Sequence, residues 1–124
     1  MDGIVTLLPP RPSSAGIARE VLSWQLHEWH IESLCEDASV VVTELISNAI
    51  RHAATDVELK IVHLPHVLRL EVRDGSAQKL RRRASHEDDE GGRGLHLVDA
   101  LTDRHGVDPE GTGKRVWVEM RLPA

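Results

Sequence analysis

SLCEDASVVVTELISNAIRHAA, residues 33–54, places Ala38, Val41, Val42, Leu45, Ala49 and Ala53 at three- and four-residue spacing, the buried stripe of an amphipathic helix. Ser33 followed three residues later by Glu36 predicts a capping box, each side chain satisfying a backbone N–H that the first turn leaves unpaired. Glu44, Asn48 and His52 recur every fourth residue on a separate edge, so hydrogen-bonding side chains project in a row beside the apolar face. Alone, Glu44 and Asn48 read as solvated residues of an ordinary surface helix. The segments on either side change that reading.

Upstream, Ile4 to Leu8 suits a short edge strand, which Pro9, Pro10 and Pro12 bring to a stop. Ser13 or Ser14 is expected to cap a helix running to about Trp29, with Ala18, Val21, Leu22, Leu26 and Trp29 on its apolar side. His27 and His30 on this helix invite a metal reading, but zinc needs further ligands and no Cys or His set of standard spacing follows. Residues 1–12 are therefore set apart as an N-terminal segment, and 13–124 as one domain.

Downstream, Val57, Leu59, Ile61 and His63 alternate with Glu58, Lys60 and Val62, and Leu68, Leu70 and Val72 alternate with Arg69, Glu71 and Arg73. With Leu64-Pro65-His66 as the turn, this is a half-buried hairpin that delivers Asp74 and Gly75 at its end. An aspartate before glycine is by itself a common turn pair. Ala77 to Glu90 is polar, with Arg81, Arg82 and Arg83 followed by a run of acids, the composition of a solvated loop. Gly91, Gly92 and Gly94 then lead into an apolar helix containing Leu95, Leu97, Val98 and Leu101 and ending near Asp103.

Glycines at a helix entrance let a ligand approach the backbone, and the unpaired N–H groups there favour phosphate. The longer dinucleotide pattern fails because Leu97 occupies its third glycine position. Arg104 to Val107 suits a short strand, Asp108 to Gly113 a turn, and Val116, Val118, Met120 and Leu122 mark a final strand. Gly111-Thr112-Gly113-Lys114 is no P-loop, since Arg115 stands where Ser or Thr should follow the lysine.

A chain of 124 residues suits one core, large enough to bury roughly two-thirds of its unfolded surface. No apolar run approaches the ~20 residues of a membrane span. The start MDGIVTLLPPRP lacks the basic opening of a secretory signal, so the cytoplasm is the expected compartment. Cys35 is alone and reads as a small packing residue. A net charge of -5 and the absence of Phe and Tyr argue against direct nucleic-acid binding, which relies on cationic side chains and stacking aromatics.

An acid-amide helix, a strand-end aspartate and glycines opening a helix, in that order, resemble the ATP-binding domain shared by gyrase, histidine kinases and MutL. Within that superfamily the chain looks most similar to the small bacterial anti-sigma-factor serine/threonine kinases. ELISNAIRHA (44–53), GGRGLHLVDAL (91–101) and KRVWVEMRLP (114–123) carry the resemblance, which spans roughly residues 12 to 123. The element order α, α, β, β, α, β, β indicates an α+β two-layer sandwich. The resemblance implies the same layout, a mixed and mostly antiparallel sheet with helices on one face and ATP between helices and lid.

The resemblance also implies the site. Asp74, with Gly75 beside it, would accept a hydrogen bond from the adenine amine, and Asn48 would hold Mg²⁺ through its side-chain oxygen. Gly92, Arg93, Gly94 and Leu95 would meet the phosphates, His52 would face the nucleotide, and Glu44 would be the general base. The implied partners are a sigma factor and an anti-sigma-factor antagonist, with a homodimer also compatible. Two departures stand out: Ser76 and Gln78 occupy the glycine positions of the family's Asp-x-Gly-x-Gly motif, and Arg115 is aligned with its closing-strand threonine. A kinase, a simple ATPase and a nucleotide-gated binding module with little phosphoryl transfer therefore all stay open. A detached histidine-kinase catalytic domain is the weaker reading, since no phosphoacceptor helix is expected before Ser13.

Overall fold

The computed structural model describes residues 2–53, 55–75, 92–111 and 113–123. Along them run β1 (Asp2–Leu8), α1 (Ser13–Glu28), α2 (Cys35–His52), β2 (Val57–His63), β3 (Val67–Asp74), α3 (Gly92–Leu101), β4 (Arg104–Glu110) and β5 (Gly113–Arg121). Ser76, Gln78 and Arg81 to Arg83 lie outside the described residues.

The strands make one five-stranded sheet in the order β1-β2-β3-β5-β4, each neighbouring pair antiparallel. Alternation along the strands explains why one face is covered. Register sets Leu59 opposite Val72, Ile61 opposite Leu70, and Leu70 opposite Val118, so the apolar half of each strand falls on the same side. There it is buried with Ala18, Leu22 and Leu26 of α1, Val41, Val42, Leu45, Ile46 and Ala49 of α2, and Val98 of α3. The expected α+β sandwich with helices on one face is the fold.

The opposite face carries the charged half of the alternation. Arg69 bonds Glu71 at 2.6 Å and Glu119 at 2.7 Å, and its guanidinium lies 4.5 Å from the centroid of the Trp117 ring. Burial alone would lower the Arg69 pKa, but hydrogen bonds and charge from Glu71 and Glu119 outweigh it and raise the group above its ordinary value. Gly106 lies opposite Trp117, and a Cβ there would fall 2.7 Å from ring atom Cζ2. Gly106→Ala is expected to cost about 1–2 kcal/mol, because the ring must swing out from under Arg69. Urea denaturation checks this, and an unchanged midpoint would contradict it.

Several helix ends differ from expectation. No capping box forms at Ser33 and Glu36: a 3-10 turn, Glu32–Leu34, feeds α2, which starts at Cys35 with Leu34 at the cap position and no side-chain cap bond. Ile31 is buried and Leu34 packs against the core, and burying these side chains outweighs the ~1 kcal/mol of a cap. At the other end, Ala53 is already extended, and Ala54 lies outside the described residues.

Neither Ser13 nor Ser14 caps α1. Pro12 stands at the cap, and the buried Ser14 hydroxyl donates to the Pro9 carbonyl at 2.6 Å, tying the proline turn to the helix. His30 closes α1 with φ 60, in the left-handed region, while the Ile31 N–H reaches back to the Leu26 carbonyl at 2.9 Å. His27 Nδ1–H donates to the Ser23 carbonyl at 2.9 Å. The two histidines thus serve the helix end, and among the described residues no cluster of three or more His, Cys, Asp or Glu could hold a metal ion.

The strand expected to stop at Val107 runs on to Glu110, shrinking the expected turn of Asp108 to Gly113. Glu110 pairs directly with Gly113, and Gly111 adopts φ 61 between them, a conformation glycine takes without a Cβ penalty. No helix among the described residues is long and apolar enough to cross a membrane.

Candidate functional site

Helix α2 packs against α1, α3, β2 and β3, so it is the element that every part of the candidate site shares. Its α1 side is marked by Thr43, whose hydroxyl accepts a 3.0 Å hydrogen bond from Arg19 Nη1. At ~100° per residue, Glu44 and Asn48 fall on the other flank of the buried stripe. Both are half-buried, which suits side chains that must reach a ligand without being sealed in the core. They stand one turn apart on a rigid helix, so their spacing of ~6 Å is fixed by the backbone. His52 is the last residue of α2, but its side chain lies outside what is described.

Asp74 ends β3 on the helix-covered face, following Leu68, Leu70 and Val72 in alternation, and is 3% exposed. A carboxylate so buried needs compensation. It receives it from Lys114, itself 0% exposed, whose Nζ donates to Asp74 Oδ2. Gly75 follows at the surface, and a Cβ there would lie 3.0 Å from Thr55 Oγ1. The Asp74 corner therefore sits beside the connection that leaves the C-terminal end of α2.

The lysine corrects the sequence reading. Arg115 was aligned with the closing-strand threonine, yet register places Lys114 opposite Asp74 and Arg115 opposite Arg73. Arg115 points to the charged face, where it pairs with Glu110 and, at 3.5 Å, with Glu71. The signal was present in the chain: counting back by twos from the buried Val118 through Val116 reaches residue 114, not 115.

The glycines are also relocated. Gly92 and Gly94 are expected to lead into the helix, but α3 already begins at Gly92, so Gly92, Arg93, Gly94 and Leu95 form its first turn. The side chains of 92–96 lie outside what is described. Backbone N–H groups of a first turn have no partner within the helix, a chemistry that suits an anion. Val98 on the same helix is 3% exposed and anchors α3 against the core.

The residues fit a magnesium nucleotide in part. Asn48 offers a hard oxygen of the kind Mg²⁺ takes once or twice from protein while keeping waters and phosphate oxygens. Asp74 offers an acceptor for an exocyclic amine, but one already engaged by Lys114.

Comparison with known proteins agrees with this fold. A family model described as histidine kinase-like ATPase domain matches residues 8–120. A crystal structure of the RsbU and RsbW domains of Rv1364c from Mycobacterium tuberculosis superposes with a TM-score of 0.76 at 19% identity, covering 100% of this chain and 34% of that one. The present chain thus spans about a third of that longer protein, and at this identity the likeness speaks for the fold. A search of curated protein sequences gives no significant match.

Proposed function

The chain belongs to the histidine kinase-like ATPase domain family, and from that premise we propose that it binds Mg-ATP and transfers the γ-phosphoryl group to a serine or threonine of a partner protein. The observation that carries the reading is the buried carboxylate of Asp74 at the end of β3, beside a helix whose half-buried edge carries Glu44 and Asn48. Residues 13–124 form the nucleotide-binding domain in this reading, and 1–12 supply the edge strand of its sheet.

Asp74 accepts from the adenine amine, with Gly75 giving the base room beside it. Asn48 holds Mg²⁺, which when bound offsets phosphate charge. The first turn of α3, Gly92 to Leu95, meets the phosphates with backbone N–H groups, and His52 faces the nucleotide from the end of α2. Glu44 takes the proton from the partner's hydroxyl as its oxygen bonds to the γ-phosphorus, while the bond from phosphorus to the bridging oxygen breaks and ADP leaves. The resemblance to anti-sigma-factor kinases makes a sigma factor and an anti-sigma-factor antagonist the proposed partners, met in the cytoplasm, with this chain acting alone or as a homodimer. One observation favours a second reading, a nucleotide-gated binding module with little transfer: the ion pair that Lys114 makes with Asp74.

Calorimetry with Mg-ATP, with ADP and GTP as comparisons, tests the shared premise. Asn48→Ala and Asp74→Asn are each expected to weaken Mg-ATP binding by about a hundredfold, since one removes a metal ligand and the other an acceptor the base requires. Parent-like affinity in both variants would remove the site assignment. Labelled γ-phosphate appearing on a partner's serine or threonine separates the kinase from the gated binder.

A further inference from the structure

Lys114 is a fully buried ammonium set against the carboxylate that the base pocket needs. Its position is fixed three times over. Register puts it directly opposite Asp74, its Nζ donates to Asp74 Oδ2, and β5 begins at Gly113, where a Cβ would lie 1.9 Å from the Asp74 carbonyl oxygen. The two strands therefore close on each other, at this one point, more tightly than any side chain at 113 permits.

We propose that Lys114 sets the nucleotide affinity of this site, by holding Asp74 in the nucleotide-free chain against the exocyclic amine of the base. The inference rests on the assignment of Asp74 as the base acceptor. An ammonium donating to a carboxylate adds a charge–charge attraction that a neutral amine lacks. Both groups are out of water, so a base amine that takes Oδ2 from Lys114 exchanges a charged donor for a neutral one where charge counts most. Binding is consequently weaker than it would be with a neutral donor at 114, and the site fills only at high nucleotide concentration. Such a chain reports nucleotide level through the Asp74 and Lys114 contact, whether or not it transfers phosphate.

Two neutral replacements test this, Lys114→Thr and Lys114→Gln, since each keeps a hydrogen-bond donor for Asp74. By calorimetry on the full chain, both are expected to bind Mg-ATP at least about tenfold more tightly than the parent. Adding Asn48→Ala is expected to abolish that gain. Affinity equal to or below the parent's, with Asn48→Ala still abolishing it, overturns the role of Lys114 and leaves the site standing. No binding in any of these proteins, or binding indifferent to Asn48→Ala, removes the site assignment and the inference with it.

Because altering a buried pair can unfold the chain, the parent protein supplies a second readout. In nitrogen-edited NMR of lysine ammonium groups, the Lys114 resonance is expected to shift as Mg-ATP is added, while that of the exposed Lys60 stays in place. A Lys114 resonance unmoved at saturating Mg-ATP overturns the proposal.

Discussion

Glu44→Ala is expected to leave Mg-ATP affinity within about twofold of the parent while phosphoryl transfer falls by roughly 10²–10⁴, the usual contribution of a general base. The reasoning is positional. Glu44 sits one helical turn from Asn48 on the same half-buried edge of α2, so it is close to the proposed metal ligand without being one. In the proposed reaction its carboxylate acts on the incoming hydroxyl, which is absent from the binding equilibrium, so truncation is expected to change the rate and not the occupancy. The core does not depend on it either, because the buried stripe of α2 consists of Ala38, Val41, Val42, Leu45, Ile46 and Ala49. Calorimetry and transfer assays on one preparation separate the two quantities. Undiminished transfer would remove Glu44 as the base, and loss of binding together with transfer would place it in the nucleotide contact instead.

Gly113→Ala is expected to destabilise the fold by about 3 kcal/mol or more, because the added methyl meets backbone and not a side chain that can give way. A Cβ at this position would fall 1.9 Å from the Asp74 carbonyl oxygen and 2.9 Å from the Gly75 Cα. Every obstructing atom belongs to backbone, so relief requires β3 and β5 to separate where Lys114 meets Asp74. Gly106 makes the contrast: its obstruction is the Trp117 side chain, which can rotate away. The expected order of stability loss in urea is therefore Gly113→Ala well above Gly106→Ala. Equal midpoints for the two variants would show that the close approach of β5 to Asp74 is not required by the fold. Gly113→Ala should also weaken nucleotide binding, since the same separation displaces the Asp74 corner.

Much of the architecture was legible because it rests on short periods. The alternation through residues 57–73 and 116–122 identified β2, β3 and β5 and the face each buries, and three- and four-residue spacing identified the core side of α2. Those periods belong to the backbone geometry of a strand or helix and need no neighbour to set them. The same geometry placed Glu44 and Asn48 together on one edge, and Asp74 at a strand end. Helix entrances were read less well, because Ser33, Glu36, Ser13 and Ser14 match capping statistics, whereas burial of Ile31 and Leu34 and the Ser14 bond to Pro9 decided where the helices begin.

By itself, then, the sequence determined the kinds of element, their inward faces and the polar edge of α2. Only the tertiary structure decided that Lys114, not Arg115, meets Asp74, 40 residues earlier in the chain. The reason is physical: a slip of one residue in the pairing of β3 with β5 would exchange which of the two points inward. That register is held by Leu68 against Met120, Leu70 against Val118, and the closure of Gly113 on the Asp74 backbone, contacts that exist only once the sheet has formed.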